Sequence, residues 1–181
     1  MQLGRTGLTA WAYALVLGVL PGFAQTGAPP AKPAPAPAAA PVPTKVVVRG
    51  LSGAPLTLTM ADLAKLHRDR VIIAHGAKKT VYEGATLGDI LRQAHAPMGA
   101  MLHGANVAVA VLATGADGYH SVLSIAEADP GFRHEKVILA DHADGQPLSA
   151  REGPFRLVVE GDDHPARNIR QTVSIELRRL P

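Results

Sequence analysis

Positions 26–44 read TGAPPAKPAPAPAAAPVPT, with seven alanines, seven prolines and a single charge, Lys32. Such a run buries nothing that offsets the entropy of ordering it, and its prolines break helices and sheet pairing alike. Folding is thereby confined to residues 45–181, a length that suits one domain around one core. Residues 25–44 read as an Ala/Pro-rich linker. In polyproline II, at about 3.1 Å per residue, it can hold the domain up to roughly 60 Å from whatever lies at its other end. It serves either as a solvated tail or as a spacer near a membrane or partner.

Ahead of the linker, Arg5 is the one charge before an apolar run over residues 8–20. That run is too short to span a bilayer as a helix and has the length of the apolar stretch of a secretory signal peptide. Pro21 and Gly22 break the helix, and Gly22-Phe23-Ala24 puts small residues at the two positions a signal peptidase reads. Residues 1–24 are therefore read as a signal peptide cleaved before Gln25, and the protein is expected to be periplasmic or secreted. The chain has no cysteine, which excludes a lipidated leader and any disulfide framework. Arg5 stands outside any twin-arginine pair, so export unfolded and without cofactor is expected.

Without the leader, 17 Lys and Arg face 15 Asp and Glu, and the eight histidines are neutral. The basic clusters Arg68-Asp69-Arg70, Lys78-Lys79 and Arg178-Arg179 are short and separated, not a stripe that tracks a phosphate backbone, so no nucleic-acid partner is expected. No histidine pair has H-x-H, H-x-x-x-H or H-E-x-x-H spacing. Asp141-His142 and Asp162-Asp163-His164 read as polar turns, and no metal site is expected. A G-x-S-x-G elbow and a Gly-rich phosphate loop are both missing.

Short apolar runs separated by turn signals fill the rest. Residues 46–48 and 56–58 read as strands, and Thr59 with Asp62 opens a short helix in the capping-box style. Residues 71–73 and 80–82 flank a turn at Gly76, and Gly84 ends the second of these strands. Thr86 and Asp89 repeat the capping pattern before a helix whose Leu87, Ile90, Leu91 and Ala94 share one face. Residues 107–113 and 119–123 form a hairpin about Ala116-Asp117-Gly118, and Ser124 with Glu127 opens a third short helix. Strands at 136–140, 155–160 and 172–177 follow, with a turn at Asp144-Gly145. About nine strands and three helices without regular alternation predict an α+β fold of strand-rich mixed sheets, not a doubly wound parallel sheet.

Several of these residues carry a resemblance. Ala143-Asp144-Gly145-Gln146-Pro147-Leu148, then Glu152-Gly153-Pro154-Phe155-Arg156-Leu157-Val158-Val159, Gly161 and Pro165-Ala166-Arg167-Asn168-Ile169-Arg170, resemble the closing segment of the sulfite-oxidase-type molybdopterin-binding domain family. Ala116-Asp117-Gly118-Tyr119 with Ser121-Val122-Leu123-Ser124-Ile125 is similar to the family's tyrosine-bearing hairpin. Tyr82-Glu83-Gly84-Ala85-Thr86-Leu87-Gly88-Asp89-Ile90-Leu91 is similar to its strand-to-helix step. Together they run from about residue 71 to 177 in the family's order, and the resemblance implies a sulfite-oxidase-like molybdopterin-binding fold.

It also implies a site. Catalytic members hold molybdenum through a cysteine in a turn that here reads Ala74-His75-Gly76-Ala77, so the thiolate position falls on Ala74. A soft anionic sulfur tunes this metal, and no other residue of the chain supplies one. His75 is either a surrogate ligand or a polar turn residue, and strand alternation points it to the face opposite Ala74. Tyr119 falls at the family's tyrosine near the metal, or else packs over its hairpin. Arg167 and Arg170 fall at an arginine and a lysine that grip the pterin's phosphate, or else pair with Asp162, Asp163 or Glu160. Gln171 replaces the tryptophan that follows, and the loop after the cysteine turn is reduced to Lys78 and Lys79. The expectation is an exported, non-catalytic member that binds a small anionic ligand or a protein partner. No cofactor is expected, molybdopterin being possible; the alternative is a true molybdopterin-dependent oxidoreductase without a cysteine ligand, with Tyr119 and His75 in its active site.

Overall fold

The computed structural model describes residues 44–181; the residues read as a signal peptide and nearly all of those read as a linker lie outside them. Ten strands form two five-stranded sheets. The first sheet has the order β2 (Leu56–Thr59), β1 (Lys45–Arg49), β10 (Thr172–Arg179), β5 (Val109–Gly115), β6 (His120–Ser124). Within it β1 and β10 run parallel and every other pair is antiparallel, so the sheet is mixed. The second sheet runs β3 (Arg68–His75), β4 (Lys78–Thr86), β7 (Val137–Ala143), β8 (Gln146–Pro147), with β9 (Arg156–Val159) also on β7. This is the α+β, strand-rich architecture that the pattern predicts.

The helices are short and capped as their sequences require. Thr59 and Asp62 close a reciprocal capping box on α1 (Met60–Leu63). The Thr86 hydroxyl accepts from Asp89 N–H at the start of α2 (Leu87–Gln93), which buries Leu87, Ile90 and Leu91. Ser124 and Glu127 form a second capping box, but the turn they open, Ile125–Ala128, is a 3-10 helix. Among the described residues, no helix is long and apolar enough to cross a membrane.

One large core fills the space between the first sheet, α1, α2 and one face of the second sheet. On β7, Val137 and Leu139 belong to it, whereas Ile138 and Ala140 join Val71, Tyr82 and Val158 in a smaller cluster on the opposite face. A strand buried on both sides reads as a continuous apolar run, as residues 137–140 do. Gly84 does not end β4. It sits inside that strand where the pairing with β7 slips by one residue, and an added Cβ would fall on the Leu139 carbonyl and the Ala140 Cα. The small cluster is the floor on which the site is built.

Candidate functional site

β3 and β4 pair in register up to a two-residue turn, Gly76-Ala77, in which Gly76 takes φ +58°. The pairing sets Ile73 opposite Thr80 and His75 opposite Lys78. These four and Tyr82 share one face and form one wall of a cleft of about 520 Å³. The second wall comes from the β5–β6 turn, with Asp117 and Tyr119, and the third from Glu152, Arg156, Pro165, Ala166, Asn168 and Arg170. A cleft of this size suits a small molecule.

Arg156 is the centre of the third wall. Only 8% exposed, it lies with its guanidinium 4.7 Å from the centroid of the Tyr82 ring. One terminal nitrogen donates to the Tyr82 hydroxyl at 2.8 Å and also pairs with Glu152. Its Nε is buried without a hydrogen-bond partner among the described residues. Asn168, 9% exposed, is in the same condition. Its Oδ1 accepts from Val159 N–H at 2.8 Å, which fixes the amide orientation and leaves Nδ2 buried and unpaired. Leaving a buried donor unpaired costs about 1–3 kcal/mol, and both residues that carry this cost contribute to the lining of one cleft. The third such atom, Ser121 Oγ, belongs to a residue outside the cleft lining.

Charge agrees. Lys78 and Arg170 line the cleft with no carboxylate partner among the described residues, beside Arg156, against the carboxylates Asp117 and Glu152. Asp117 is engaged with the backbone N–H of Tyr119 at 2.9 Å and Glu152 with Arg156. Burial, opposed in part by Arg156, pushes the Tyr82 phenol above its ordinary value and keeps it neutral.

Three of the four residues singled out in the sequence meet here: His75, Tyr119 and Arg170. The face assignment at the hairpin is corrected, because His75 lines the cleft and Ala74, opposite Lys79, lies on the other side by strand alternation. Tyr119 is half exposed, and its hydroxyl donates to the Ala166 carbonyl at 2.8 Å. Arg167 stays outside. Its Nε and one terminal nitrogen donate to the two Asp162 oxygens at 2.9 and 2.5 Å, and the other terminal nitrogen to Glu127 at 2.6 Å. The Arg167 fork holds Asp162 below its ordinary pKa; burial would raise Glu127, but Ser124 N–H and Arg167 bring it below. Gln171 also turns away, donating to the Ala150 carbonyl at 2.7 Å.

Sequence reasoning missed Arg156 and Asn168. The signal was an arginine inside an apolar strand, Phe155-Arg156-Leu157-Val158-Val159, where a buried cation demands partners. A second cavity of about 380 Å³ between α2 and the loop before β7 differs in kind. Its Asp69 and Glu127 pair with Lys136 and Arg133 at 2.7 and 3.1 Å, Asp89 pairs with Arg92, and Asp129 accepts from Gly99 and Gly131 N–H. None of the unpaired buried donors belongs to its lining.

The profile of the oxidoreductase molybdopterin binding domain matches residues 34–177. The chain belongs to that family. Among solved structures, the sulfane dehydrogenase SoxCD from Paracoccus pantotrophus is similar, with a TM-score of 0.54 and 18% identity over 74% of this chain. At that identity the likeness concerns the fold. The match covers 37% of the SoxCD chain, so this member spans little more than a third of that length. No curated protein sequence matches it.

Membership poses a fit test for molybdopterin. For a phosphate, the donors of Arg156, Asn168 and Arg170 fit. For the metal they do not: the chain has no thiolate, Ala74 is on the wrong face, and no group of three His, Asp or Glu among the described residues could hold a metal ion. The cleft lining thus offers donors of the kind a phosphate takes and no thiolate.

Proposed function

We propose that this protein is an exported, non-catalytic member of its family that binds a small anion in the cleft between the β3–β4 hairpin and the loop before β10. The observation that carries the reading is the pair of buried, unpaired donors, Arg156 Nε and Asn168 Nδ2, in a cleft also lined by Arg170 and Lys78. Charge-assisted contacts at about 1.5–3 kcal/mol each support millimolar affinity for a simple anion, and further contacts to a fitted ligand would tighten it. With no thiolate on the cleft face, the residues favour recognition over metal redox chemistry.

The first test is composition. Protein purified from a host that makes the cofactor is expected to hold well under one molybdenum per chain and no stoichiometric pterin, by elemental analysis and pterin fluorescence. Stoichiometric amounts of both would overturn the reading and make Tyr119 and His75 active-site residues. The second is binding, in which inorganic phosphate titrated into the 15N-labelled chain is expected to shift the Arg156 Nε–H and Asn168 side-chain amide resonances. N-terminal sequencing of protein from its natural host is expected to begin at or near Gln25, outside the cytoplasmic membrane; a cytoplasmic chain beginning at Met1 would refute export.

A further inference from the structure

Four consecutive residues, 165–168, divide unequally: Pro165, Ala166 and Asn168 line the cleft and Arg167 does not. They form a 3-10 turn, Pro165–Arg167, closed by the bond from Asn168 N–H to the Pro165 carbonyl at 3.0 Å. Beyond it the chain is tied to β9, since Ile169 and Leu157 exchange backbone hydrogen bonds at 3.0 and 2.9 Å and Val159 N–H holds the Asn168 side chain. The cleft side of the turn is held by Tyr119, whose hydroxyl donates to the Ala166 carbonyl.

The other side is held by charge. Arg167 spans two carboxylates from different parts of the chain, Asp162 five residues back and Glu127 in the turn that follows β6. Glu127 is itself fixed, accepting from Ser124 N–H at 3.0 Å and from Arg133 at 3.1 Å, and Arg133 also donates to the Glu160 carbonyl at 2.6 Å. Each of the three Arg167 side-chain nitrogens thus donates to a carboxylate, and the residue does not line the cleft. A planar fork engaged on two sides sets the position and the rotation of its own backbone.

We infer that Arg167 is a positioning residue for the anion cleft, acting through Asp162 and Glu127 to place Asn168, and not a residue that touches the anion. The inference rests on the anion-binding reading of the cleft. It gives the two arginines of the closing motif different work: Arg170 meets the ligand, and Arg167 holds the wall.

Phosphate titrations of the full chain, followed by NMR, separate contact from positioning. In the free protein, Arg167→Ala is expected to move the Asn168 side-chain amide resonances and to speed exchange of the Val159 and Ile169 amides, whereas Arg170→Ala leaves both in place. On titration, Arg167→Ala is expected to weaken phosphate about tenfold, and Arg167→Lys, which keeps the charge but not the fork, by about threefold. The combined change Asp162→Asn with Glu127→Gln is expected to weaken phosphate similarly, and adding Arg167→Ala to it to change affinity less than about twofold. If Arg167→Ala instead costs the same factor in both backgrounds, with the free-state Asn168 resonances unmoved, Arg167 contacts the anion and the inference is wrong. If phosphate moves neither Arg156 nor Asn168 in the unaltered chain, the cleft reading itself falls and the positioning role falls with it.

Discussion

The Arg156 guanidinium lies across the Tyr82 ring and donates to that same tyrosine's hydroxyl, so one aromatic residue supplies both a π face and an acceptor to a buried cation. Glu152 pairs with the same terminal nitrogen of Arg156, and Nε is left unpaired. Tyr82→Phe is expected to keep the face and lose the acceptor, costing about 1 kcal/mol in denaturant unfolding and weakening phosphate by turning the guanidinium. Arg156→Ala is expected to cost about 2–3 kcal/mol and to abolish phosphate binding. Unchanged binding in Arg156→Ala would remove Arg156 from the site.

A second ion cluster, centred on the buried Asp141, is expected to contribute to stability in acid. Asp141, 3% exposed, receives both arms of the Arg68 fork at 2.9 and 2.5 Å and lies 2.7 Å from His142 Nδ1. Burial alone would raise its pKa, but Arg68 and then His142 bring it below the ordinary aspartate value. A carboxyl depressed in the folded state adds stability above its unfolded pKa, near about 4, and that stability is lost as pH falls through the folded value. Asp141→Asn is therefore expected to lower stability at pH 7 and to flatten the loss below about pH 4. An equally steep acid limb in the variant would assign that loss to other carboxylates.

At Gly84 the approach of β7 leaves no room for a side chain, because a methyl would meet the Leu139 carbonyl and the Ala140 Cα, both backbone. Backbone cannot swing aside as a flexible side chain can. Gly84→Ala is expected to cost about 3 kcal/mol or more, read as a lower midpoint in urea. A cost under about 1 kcal/mol would show that the bulge relaxes freely.

Placing a cysteine where the resemblance puts the family's metal ligand, by Ala74→Cys, is expected to leave molybdenum well below one per chain after expression in a cofactor-making host. The side chain at 74 lies on the face opposite His75 and Lys78, and changing its chemistry does not change its direction. Stoichiometric metal in this variant would mean that the hairpin shifts register by one residue to admit it.

Much of the fold was legible because local chemistry and tertiary structure agree. Thr59 with Asp62 and Ser124 with Glu127 cap where their spacing says they should, and Gly76, Gly118 and Gly145 take positive φ at the turns. Gly84 misled because a glycine in a strand signals a bulge as readily as an end, and only the approach of β7 decides between them. The site was half legible. Motif order leads to Tyr119 and Arg170, which line the cleft, but the direction of a hairpin side chain depends on where the strand's pairing begins, so Ala74 and His75 were exchanged. Arg167 takes the pairing with Asp162 that the sequence offers as its alternative, and adds Glu127, 40 residues away in sequence, which nothing local announces.

Among the described residues, strand β10 links β1 to β5: Val47, Val48 and Arg49 pair with its one edge and residues 109–115 with the other. Until residues 172–179 arrive, the hairpin of β1 and β2 and the hairpin of β5 and β6 are separate pieces, each with an open edge facing the other. During synthesis or passage through a narrow channel, the earliest strand of the domain must therefore wait for the latest one. A ribosome stalled before Thr172 would release a chain with two unsatisfied edges, a template for joining other chains, and completing the sheet removes that hazard in a single closing step.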